Sequence, residues 1–446
     1  MTQEAHNAPR RRLPRSFHFL LAGQTVSLVG SQVTLLALPL TAIELHNAGP
    51  FETGVLLACG RAPYLLLGLL AGVLVDRFPH RILLMTANAA MALTVATVPL
   101  VDSLSGHVGM PQLYMVATLV GAATVIADVA FLACVPTVVR LPQLVLAQSR
   151  LELGQSAALM LGLPIAGWLI TTLSAPIAIL ADAASFLLAT ALLPYVAMRP
   201  ARGMPATLEH DDHRAVVRTR GVIGRVLSEA AEGALFVLRT SRLRAVTLAT
   251  GTLIFCYSAY SAVFLLYLTE GLRLTAAATG TVTGIAAAGG VVGTLLARPA
   301  ARALGLGRVL VAALLTSAVG AALTPVFQVS GWLAVGLSQF LLWTGQQIYN
   351  VHQVPIRYAL APPALHGRVN ASIRTAVWGL APVGALLGGA CGTWLGARTT
   401  LLLSGALIAT ATGWIVTSPL RAVRTPQLAE AYAEPTSAPT VSVPRR

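Results

Sequence analysis

The stretch GVLVDRFPHR at residues 72–81 returns later in the chain in an altered copy, GTLLARPAAR at residues 293–302. Both copies keep the glycine and the two arginines at the same spacing, whereas Asp76 of the first copy is replaced by alanine in the second. Each copy follows a long apolar segment. The chain is therefore expected to consist of two related halves.

A second pair of residues supports this duplication. Arg150 precedes Pro164 by 14 residues, and Arg368 precedes Pro382 by the same number. Repeats of this kind, in which two membrane bundles are related in parallel, are typical of transporters that carry the substrate path between the halves.

The composition indicates that lipid is the natural solvent of most of the chain. Of 446 residues, 56% are hydrophobic and only 10% are charged, whereas a soluble protein carries roughly 25% charged residues. The mean hydropathy is +0.74. So few charges cannot cover a globular surface of this size, which excludes a disordered chain and an ordinary soluble enzyme.

Twelve segments are long enough to cross a bilayer as helices, which takes about 20 apolar residues. They lie approximately at residues 18–44, 51–75, 82–101, 112–139, 151–172, 176–197, 245–269, 276–297, 307–327, 331–356, 369–395 and 399–417. Continuous apolar runs, rather than alternating residues, argue against a membrane barrel. The first segment is too long for a cleaved signal sequence, so we expect it to remain as the first helix.

The arginines predict the orientation. With the N-terminus placed in the cytoplasm, 27 of the 30 arginines fall on the cytoplasmic side or at its membrane edge. The exceptions are Arg61, Arg273 and Arg398. Because cytoplasmic loops are enriched in positive charge, both termini are expected inside. This asymmetry also accounts for the net charge of +14 without a nucleic-acid partner.

The longest polar connection divides the twelve segments into six and six. We expect a cytoplasmic N-terminal tail, a first six-helix bundle, a cytoplasmic linker, a second six-helix bundle and a disordered cytoplasmic tail. The corresponding ranges are 1–16, 17–197, 198–244, 245–420 and 421–446. Within the linker, residues 222–238 form an amphipathic pattern that predicts a helix on the inner membrane surface.

Four parts of the sequence carry a resemblance to a known family. They are GSQVTLLALPLTAIEL (30–45), GLLAGVLVDRFPHR (68–81), the region around Asp128, Pro136 and SRLE (149–152), and QVPIRYALAPPALHGRVNASIR (353–374) with Pro382 and Gly388-Gly389. On these residues the chain resembles the major facilitator superfamily, over nearly all of residues 15–422, and within it the branch of macrolide-efflux proteins and the enterobactin exporter. The resemblance implies an all-α integral membrane protein with 12 transmembrane helices in two six-helix bundles and cytoplasmic termini. His80 departs from the family's loop signature, which has a basic residue there.

Residues at the inner membrane edge form a candidate gate. Gly72 allows close approach of two helices, and Asp76 can accept hydrogen bonds from the N–H groups that begin the helix near residues 367–370, where the helix dipole is positive. The resemblance implies the same role. Alternatively, Asp76 and Arg77 only set the topology. The candidate gating set is Gly72, Asp76, Arg77, Arg81, Arg150, Glu152, Arg368 and Asn370.

Asp128 is the candidate for proton coupling. It lies about 24 Å along the fourth helix from its outer end, somewhat to the inner side of the midplane. An ionised carboxylate at that depth is costly unless it is paired or faces water. A carboxylate that exchanges protons with each side in turn can couple proton entry to cargo exit. The alternative is a structural aspartate that bonds to neighbouring helices.

Polar and aromatic groups at membrane depth are candidates for the lining of a substrate cavity. Amides and aromatic rings around an apolar cavity suit a large, weakly polar ligand, although glutamines also bond helices together. Arg61 either contacts an anionic substrate or is neutralised by Asp182 or Glu44. The candidates are Gln24, Gln32, Arg61, Tyr257, Tyr260, Gln346, Gln347 and Asn350, together with Gln339.

The sequence therefore predicts a secondary active transporter that exports hydrophobic small molecules, such as macrolide-like drugs or a secreted metabolite, in exchange for protons. An exporter or importer of a particular siderophore or metabolite on the same fold is the alternative, and a membrane-embedded enzyme is a remote one. Without a P-loop lysine, the glycine-rich runs predict helix packing rather than nucleotide binding. We expect no catalytic residues, cofactor or metal, and a monomer in a bacterial plasma membrane.

Overall fold

The computed structural model describes residues 13–106, 108–139, 143–197, 232–326, 331–361 and 365–422, and these residues are almost entirely helical. Twelve long helices follow one another in the chain. They are α1 (Arg15–His46), α2 (Pro50–Arg77), α3 (His80–Ser105), α4 (Met110–Val138), α5 (Leu144–Leu173), α6 (Ala175–Leu192), α7 (Ser241–Leu266), α8 (Ala276–Leu304), α9 (Leu306–Leu323), α10 (Trp332–Leu360), α11 (His366–Leu395) and α12 (Ala397–Val416). A π-helical turn, Tyr267–Gly271, extends α7.

These helices coincide with the twelve predicted segments, and every end lies within about seven residues of its predicted position. Among the described residues, ten stretches are long and apolar enough to cross a membrane. The other two long helices, α2 and α10, have 28 and 29 residues. The all-helical fold with about ten candidate membrane spans is thus confirmed, whereas the twelve crossings and the cytoplasmic termini stay predictions.

The twelve helices pack as two groups that meet along a few helix pairs. In the first group α1 packs on α5 and α6, α2 on α4, and α3 on α4 and α6. In the second group α7 packs on α11 and α12, α8 on α10, and α9 on α10 and α12. Contacts between the groups run mainly along α2 with α11 and α5 with α8. Equivalent helices of the two halves therefore form the interface, as the repeat predicts.

Two pairs of glycines bring the halves together at one end of the molecule. This end, named the closed end here, carries the connections α1–α2, α5–α6, α7–α8 and α11–α12; the other is the terminal end. A Cβ added at Gly54 would lie 2.9 Å from the Cα of Gly389, and one added at Gly280 would lie 2.9 Å from the Cα of Gly167. Since real Cβ atoms do not approach backbone so closely, any larger residue must separate α2 from α11 or α5 from α8.

At three places in the chain, a single residue forms the sharp turn between one helix and the next. This residue is a serine in one turn and a glycine in the other two. Ser174, between α5 and α6, has φ 80° and ψ 157°. Gly305, between α8 and α9, and Gly396, between α11 and α12, adopt almost the same angles. Because a Cβ disfavours this region, Ser174 holds strain of about 1–3 kcal/mol.

Replacing that serine should therefore stabilise the protein. We expect Ser174→Gly to raise the thermal unfolding midpoint of the purified protein in detergent, and the reciprocal change Gly396→Ser to lower it. Nothing lies within 4 Å of a Cβ at Gly396, so the control reports backbone strain alone. A lower midpoint for Ser174→Gly would contradict the assignment of strain to this turn.

Only part of the predicted linker helix lies among the described residues. Residues 222–231 fall outside them, and residues 232–239 are helical. Val237 is buried and packs with Phe236 against the first turns of α7 and α11. Leu235 and Leu238, which the predicted pattern placed on its apolar face, are exposed at 46% and 58%. This face stays open to lipid contact.

Candidate functional site

A cavity of about 240 Å³ lies between the two halves. Helices α1, α2 and α5 of the first half and α7, α8 and α10 of the second contribute to its walls. The polar and aromatic residues that matter below are Arg61, Tyr257, Tyr260, Gln339, Trp343 and Gln347. Both halves therefore contact whatever occupies this space.

Aromatic rings form the wall on the side of the second half. Tyr257, Tyr260 and Phe264 recur at helical spacing on α7, so they share one face. The ring centroids of Tyr257 and Tyr260 are 6.4 Å apart, and those of Tyr260 and Phe264 are 5.4 Å apart. Trp343 on α10 meets Tyr257 edge to face at 5.8 Å. This wall offers an apolar surface to a ligand.

Two of the polar groups in the lining satisfy each other. Tyr260 donates its hydroxyl hydrogen to Thr324 Oγ1 at 2.8 Å. The amide Nε2 of Gln339 donates to both Tyr260 and Thr324. Because these groups are bonded to one another, they hold α7, α9 and α10 in register, and Tyr260 presents its ring to the cavity.

Arg61 reaches from the first half to the second. Its Nη1 donates a hydrogen bond of 2.8 Å to Oγ of Ser258, a buried residue on α7. Neither predicted neutralising acid is its partner: Asp182 accepts hydrogen bonds from Thr34 and Ser185, and Glu44 is exposed near the end of α1. The reason is geometric, because the side chain of Asp182 points into the α1–α6 contact.

Asp182 is a structural residue of the first half. It is completely buried, and Ser185 Oγ donates to its Oδ1 at 3.2 Å while Thr34 donates to Oδ2. We expect Asp182→Ala to cost about 1–3 kcal/mol of unfolding free energy, because the buried hydroxyl of Thr34 loses its acceptor, whereas Ser185 keeps its hydrogen bond of 2.8 Å to the carbonyl oxygen of residue 182. Thermal unfolding of the purified protein checks this, with Asp102→Ala at the partly exposed end of α3 as the control. An equal effect of the two variants would refute it.

Asp128 joins residues from both halves. Tyr64 on α2 donates its hydroxyl hydrogen to Oδ2 of Asp128 on α4 at 2.8 Å. The ring of Tyr64 stacks on Trp378 of α11, with centroids 6.2 Å apart. Arg374, one turn earlier on α11, lies within electrostatic range of both Asp128 and Tyr64. These four residues, named the Asp128 cluster here, form a polar contact between the halves.

The predicted cavity candidates divide into two sets. Arg61, Tyr257, Tyr260 and Gln347 line the cavity, as does Gln339. The remaining four do not belong to its described lining, and they are Gln24, Gln32, Gln346 and Asn350.

Helix geometry explains why these four lie elsewhere. Gln24 borders a separate small groove with Asn88 on α3. Gln32 is buried against Gly162 of α5. Gln346 is buried beside the lining residue Gln347, because adjacent residues differ by about 100° around the helix. Asn350 is half-buried one turn beyond the lining, toward the terminal end.

Four residues of the site were missed from the sequence. Trp343 could have been found, because it lies four residues from both Gln339 and Gln347 and so shares their face of α10. Tyr64 likewise follows Arg61 by three residues. Ser258 and Trp378 carry no local signal, since their roles depend on residues of the other half.

The gating candidates are only partly described. Arg77, Arg150 and Glu152 are exposed. Arg81 donates a hydrogen bond to the carbonyl oxygen of Val196, which ties the start of α3 to the chain after α6 within one half. The structure does not describe the surroundings of Gly72 or the side chains of Asp76, Arg368 and Asn370. The proposed contact of Asp76 with α11 therefore stays a prediction.

The described residues contain no group of three or more histidines, cysteines or acids that could hold a metal ion. The four cysteines are free thiols, and two of them are buried in the helix packing. Within this part of the chain, the site therefore offers hydrogen bonds, aromatic surface and single charges as its means of recognition.

Residues 20–355 match the family model of the Major Facilitator Superfamily. The chain belongs to this superfamily. Its members are membrane transporters rather than enzymes, and they bind small-molecule substrates. The match, together with the helices above, identifies a multi-pass membrane protein that functions in transport.

One curated relative is the uncharacterized MFS-type transporter YfiS of Bacillus subtilis (strain 168). It is 34% identical over 97 residues, which is 22% of this chain and 23% of that protein. The chain thus matches about a quarter of the length of this relative. The likeness is consistent with a bacterial origin.

Solved structures show the same fold. A bacterial homologue of the iron transporter ferroportin, in an inward-facing state, has a TM-score of 0.68 at 16% identity and covers 90% of this chain and 100% of its own. A D-xylose-proton symporter has a TM-score of 0.64 at 15% identity and covers 90% and 95%. Identities this low extend to the fold alone, and the predicted branch of macrolide and enterobactin exporters stays a prediction.

Proposed function

We propose that the protein is a secondary active transporter that exports hydrophobic small molecules in exchange for protons by alternating access. The observation that carries the proposal is the cavity between two related halves, held shut at the closed end by paired glycines. A cavity bounded by both halves can change its exposure when the halves rock against each other.

Alternating access requires an interface that separates without breaking a core. The α2–α11 and α5–α8 contacts at the closed end include two close backbone approaches, Gly54 to Gly389 and Gly167 to Gly280. Thr53 adds a hydrogen bond from α2 to the carbonyl oxygen of Ala262 on α7 at 2.9 Å. At the glycine positions themselves, the helices can separate without repacking a side chain.

The arginine pattern supports cytoplasmic termini, so the closed end would face outward and this conformation would be inward-facing. We expect reporter fusions in the 2–3 and 8–9 connections to be cytoplasmic, and fusions in the 1–2 and 11–12 connections to be external. External reporters in both of the first two connections would overturn this orientation.

Proton coupling is assigned to the Asp128 cluster. While Asp128 is charged, it accepts the hydrogen bond from Tyr64 and attracts Arg374 of the other half. A proton on Asp128 removes that attraction and weakens the contact between the halves. Proton binding would thus favour separation of the halves at this point, which links proton movement to the conformational change.

The cavity supports a small hydrophobic cargo. Its walls are mostly apolar, and about 240 Å³ lies just below the range of roughly 300–1,000 Å³ that is usual for ligand sites. A secreted metabolite of modest size fits this space better than a macrolide-like ring. The likeness to the ferroportin homologue, at 16% identity, extends to the fold alone and therefore adds no metal to the proposed cargo.

The proposal is tested by accumulation of hydrophobic dyes and antibiotics in a pump-deficient bacterial host. Wild type, Asp128→Asn and empty vector are compared with and without a protonophore. We expect wild type alone to lower accumulation and the protonophore to abolish the difference. Higher accumulation with wild type would indicate import, and a difference that persists with the protonophore would contradict proton exchange.

A further inference from the structure

The cavity is electrostatically one-sided. Arg61 is the only charged side chain among its described lining residues, and none of them is an aspartate or a glutamate. The remaining walls are aliphatic and aromatic, with hydroxyl and amide groups between them. A positive charge in such surroundings is costly unless something neutralises it.

The described neighbours leave that charge uncompensated. An arginine carries five N–H donors, and the hydrogen bond that the structure gives Arg61 goes to the neutral hydroxyl of Ser258. The buried Asp182 and the half-buried Asp128 of the same half have other partners, Asp128 being bonded to Tyr64 and Asp182 to Thr34 and Ser185. Ser258 therefore orients the guanidinium without balancing it.

We propose that the cargo is a small hydrophobic anion whose acidic group pairs with Arg61. The apolar body of the molecule packs against Tyr257, Phe264 and Trp343. This inference rests on the proposed transport function and specifies its substrate class. A guanidinium binds a carboxylate through two parallel hydrogen bonds, which gives both affinity and orientation. A cationic drug meets like charge at Arg61 and finds no acid in the described lining.

Ser258 also makes this recognition sensitive to conformation. Arg61 belongs to α2 and Ser258 to α7, so their hydrogen bond crosses between the halves. When the halves separate at this level, the guanidinium loses the group that orients it. The anion is then held less firmly, as release on the other side of the membrane requires.

The test uses three probes that share one apolar body and differ only in charge: 4-phenylbutyrate, 4-phenylbutanamide and 4-phenylbutylamine. Binding to the purified full chain in lipid nanodiscs is measured by isothermal titration calorimetry in a zwitterionic buffer of low salt concentration, because chloride or a carboxylate salt would compete for Arg61. We expect the carboxylate to bind at least about tenfold more tightly than the amide or the amine.

Variants assign the preference to Arg61. Arg61→Gln should abolish the preference for the carboxylate and Arg61→Lys should keep part of it. Arg398→Gln, which removes an exposed arginine in the first turn of α12, should leave it unchanged. Size-exclusion chromatography tests whether each variant is folded. If Arg61→Gln does not fold, the order of affinities of the three probes for the wild type decides the question.

The outcomes separate this inference from the proposed function. Equal binding of the three probes, tightest binding of the amine, or no binding of the carboxylate would overturn the anion preference. A preference for the carboxylate that persists in a folded Arg61→Gln variant would also overturn the role of Arg61. Because binding is measured without transport, efflux in cells would still stand in each of these cases. Conversely, the expected ranking with no transport in cells would leave the ligand class intact and contradict the transport proposal.

Discussion

Asp128→Asn should uncouple transport from the proton gradient. In proteoliposomes, wild type is expected to accumulate an anionic probe against its gradient when a pH difference is imposed. In the variant, the rate of uptake driven by the pH difference should fall at least about tenfold. The reason is that an amide keeps a hydrogen bond to Tyr64 but cannot change its charge and so cannot alter the attraction of Arg374.

Exchange without a gradient separates coupling from simple damage. Asp128→Asn should still exchange labelled for unlabelled probe when both sides are at one pH, because the cavity residues are untouched. Asp102→Asn, at the partly exposed end of α3, is the matched control and should behave as wild type. A wild-type response of Asp128→Asn to the pH difference would exclude this residue from coupling.

A second large effect is expected at the closed end. Gly280→Val should abolish transport, because its side chain would push α8 away from Gly167 on α5. Gly54→Val should do the same between α2 and α11. Valine is a better helix former than glycine, so each helix itself should remain intact and the protein should still fold.

Gly413→Val is the control for the glycine variants. Gly413 lies within α12, and nothing lies within 4 Å of a Cβ placed there. We expect this variant to transport at the wild-type rate, measured by probe efflux from loaded vesicles and corrected for the amount of protein. Wild-type transport by both Gly280→Val and Gly54→Val would show that closure at this end is not required.

The helices could be predicted because each apolar run has the length of a bilayer and ends at polar or glycine residues. Part of the cavity face of α10 could also be predicted, because Gln339 and Gln347 are about two helical turns apart and so lie on one face. The sequence could not distinguish Gln346 from Gln347, since both are polar and adjacent. Only the packing of α10 on its neighbours decides which of them faces the cavity.

Contacts between the halves were out of reach of the sequence. Arg61 and Ser258 are 197 residues apart, and nothing local marks them as partners. The predicted acidic neighbours of Arg61 failed for the same reason, because the depth of a residue in a helix does not fix its direction. Gly389 belongs to one of the glycine-rich runs that predicted helix packing, whereas its partner Gly54 became evident only from the packed structure.

The most direct test of alternating access measures the separation of the halves at the closed end. Spin labels on cysteines introduced at Leu104 on α3 and Trp394 on α11, both highly exposed, report this distance in a chain whose four native cysteines are replaced by alanine. Pulsed electron paramagnetic resonance over a pH series should give two distances between the labels in wild type, and the proportions of the two should change with pH. Gly280→Val should give the longer one alone. A single distance at every pH, unchanged by Gly280→Val, would contradict the account.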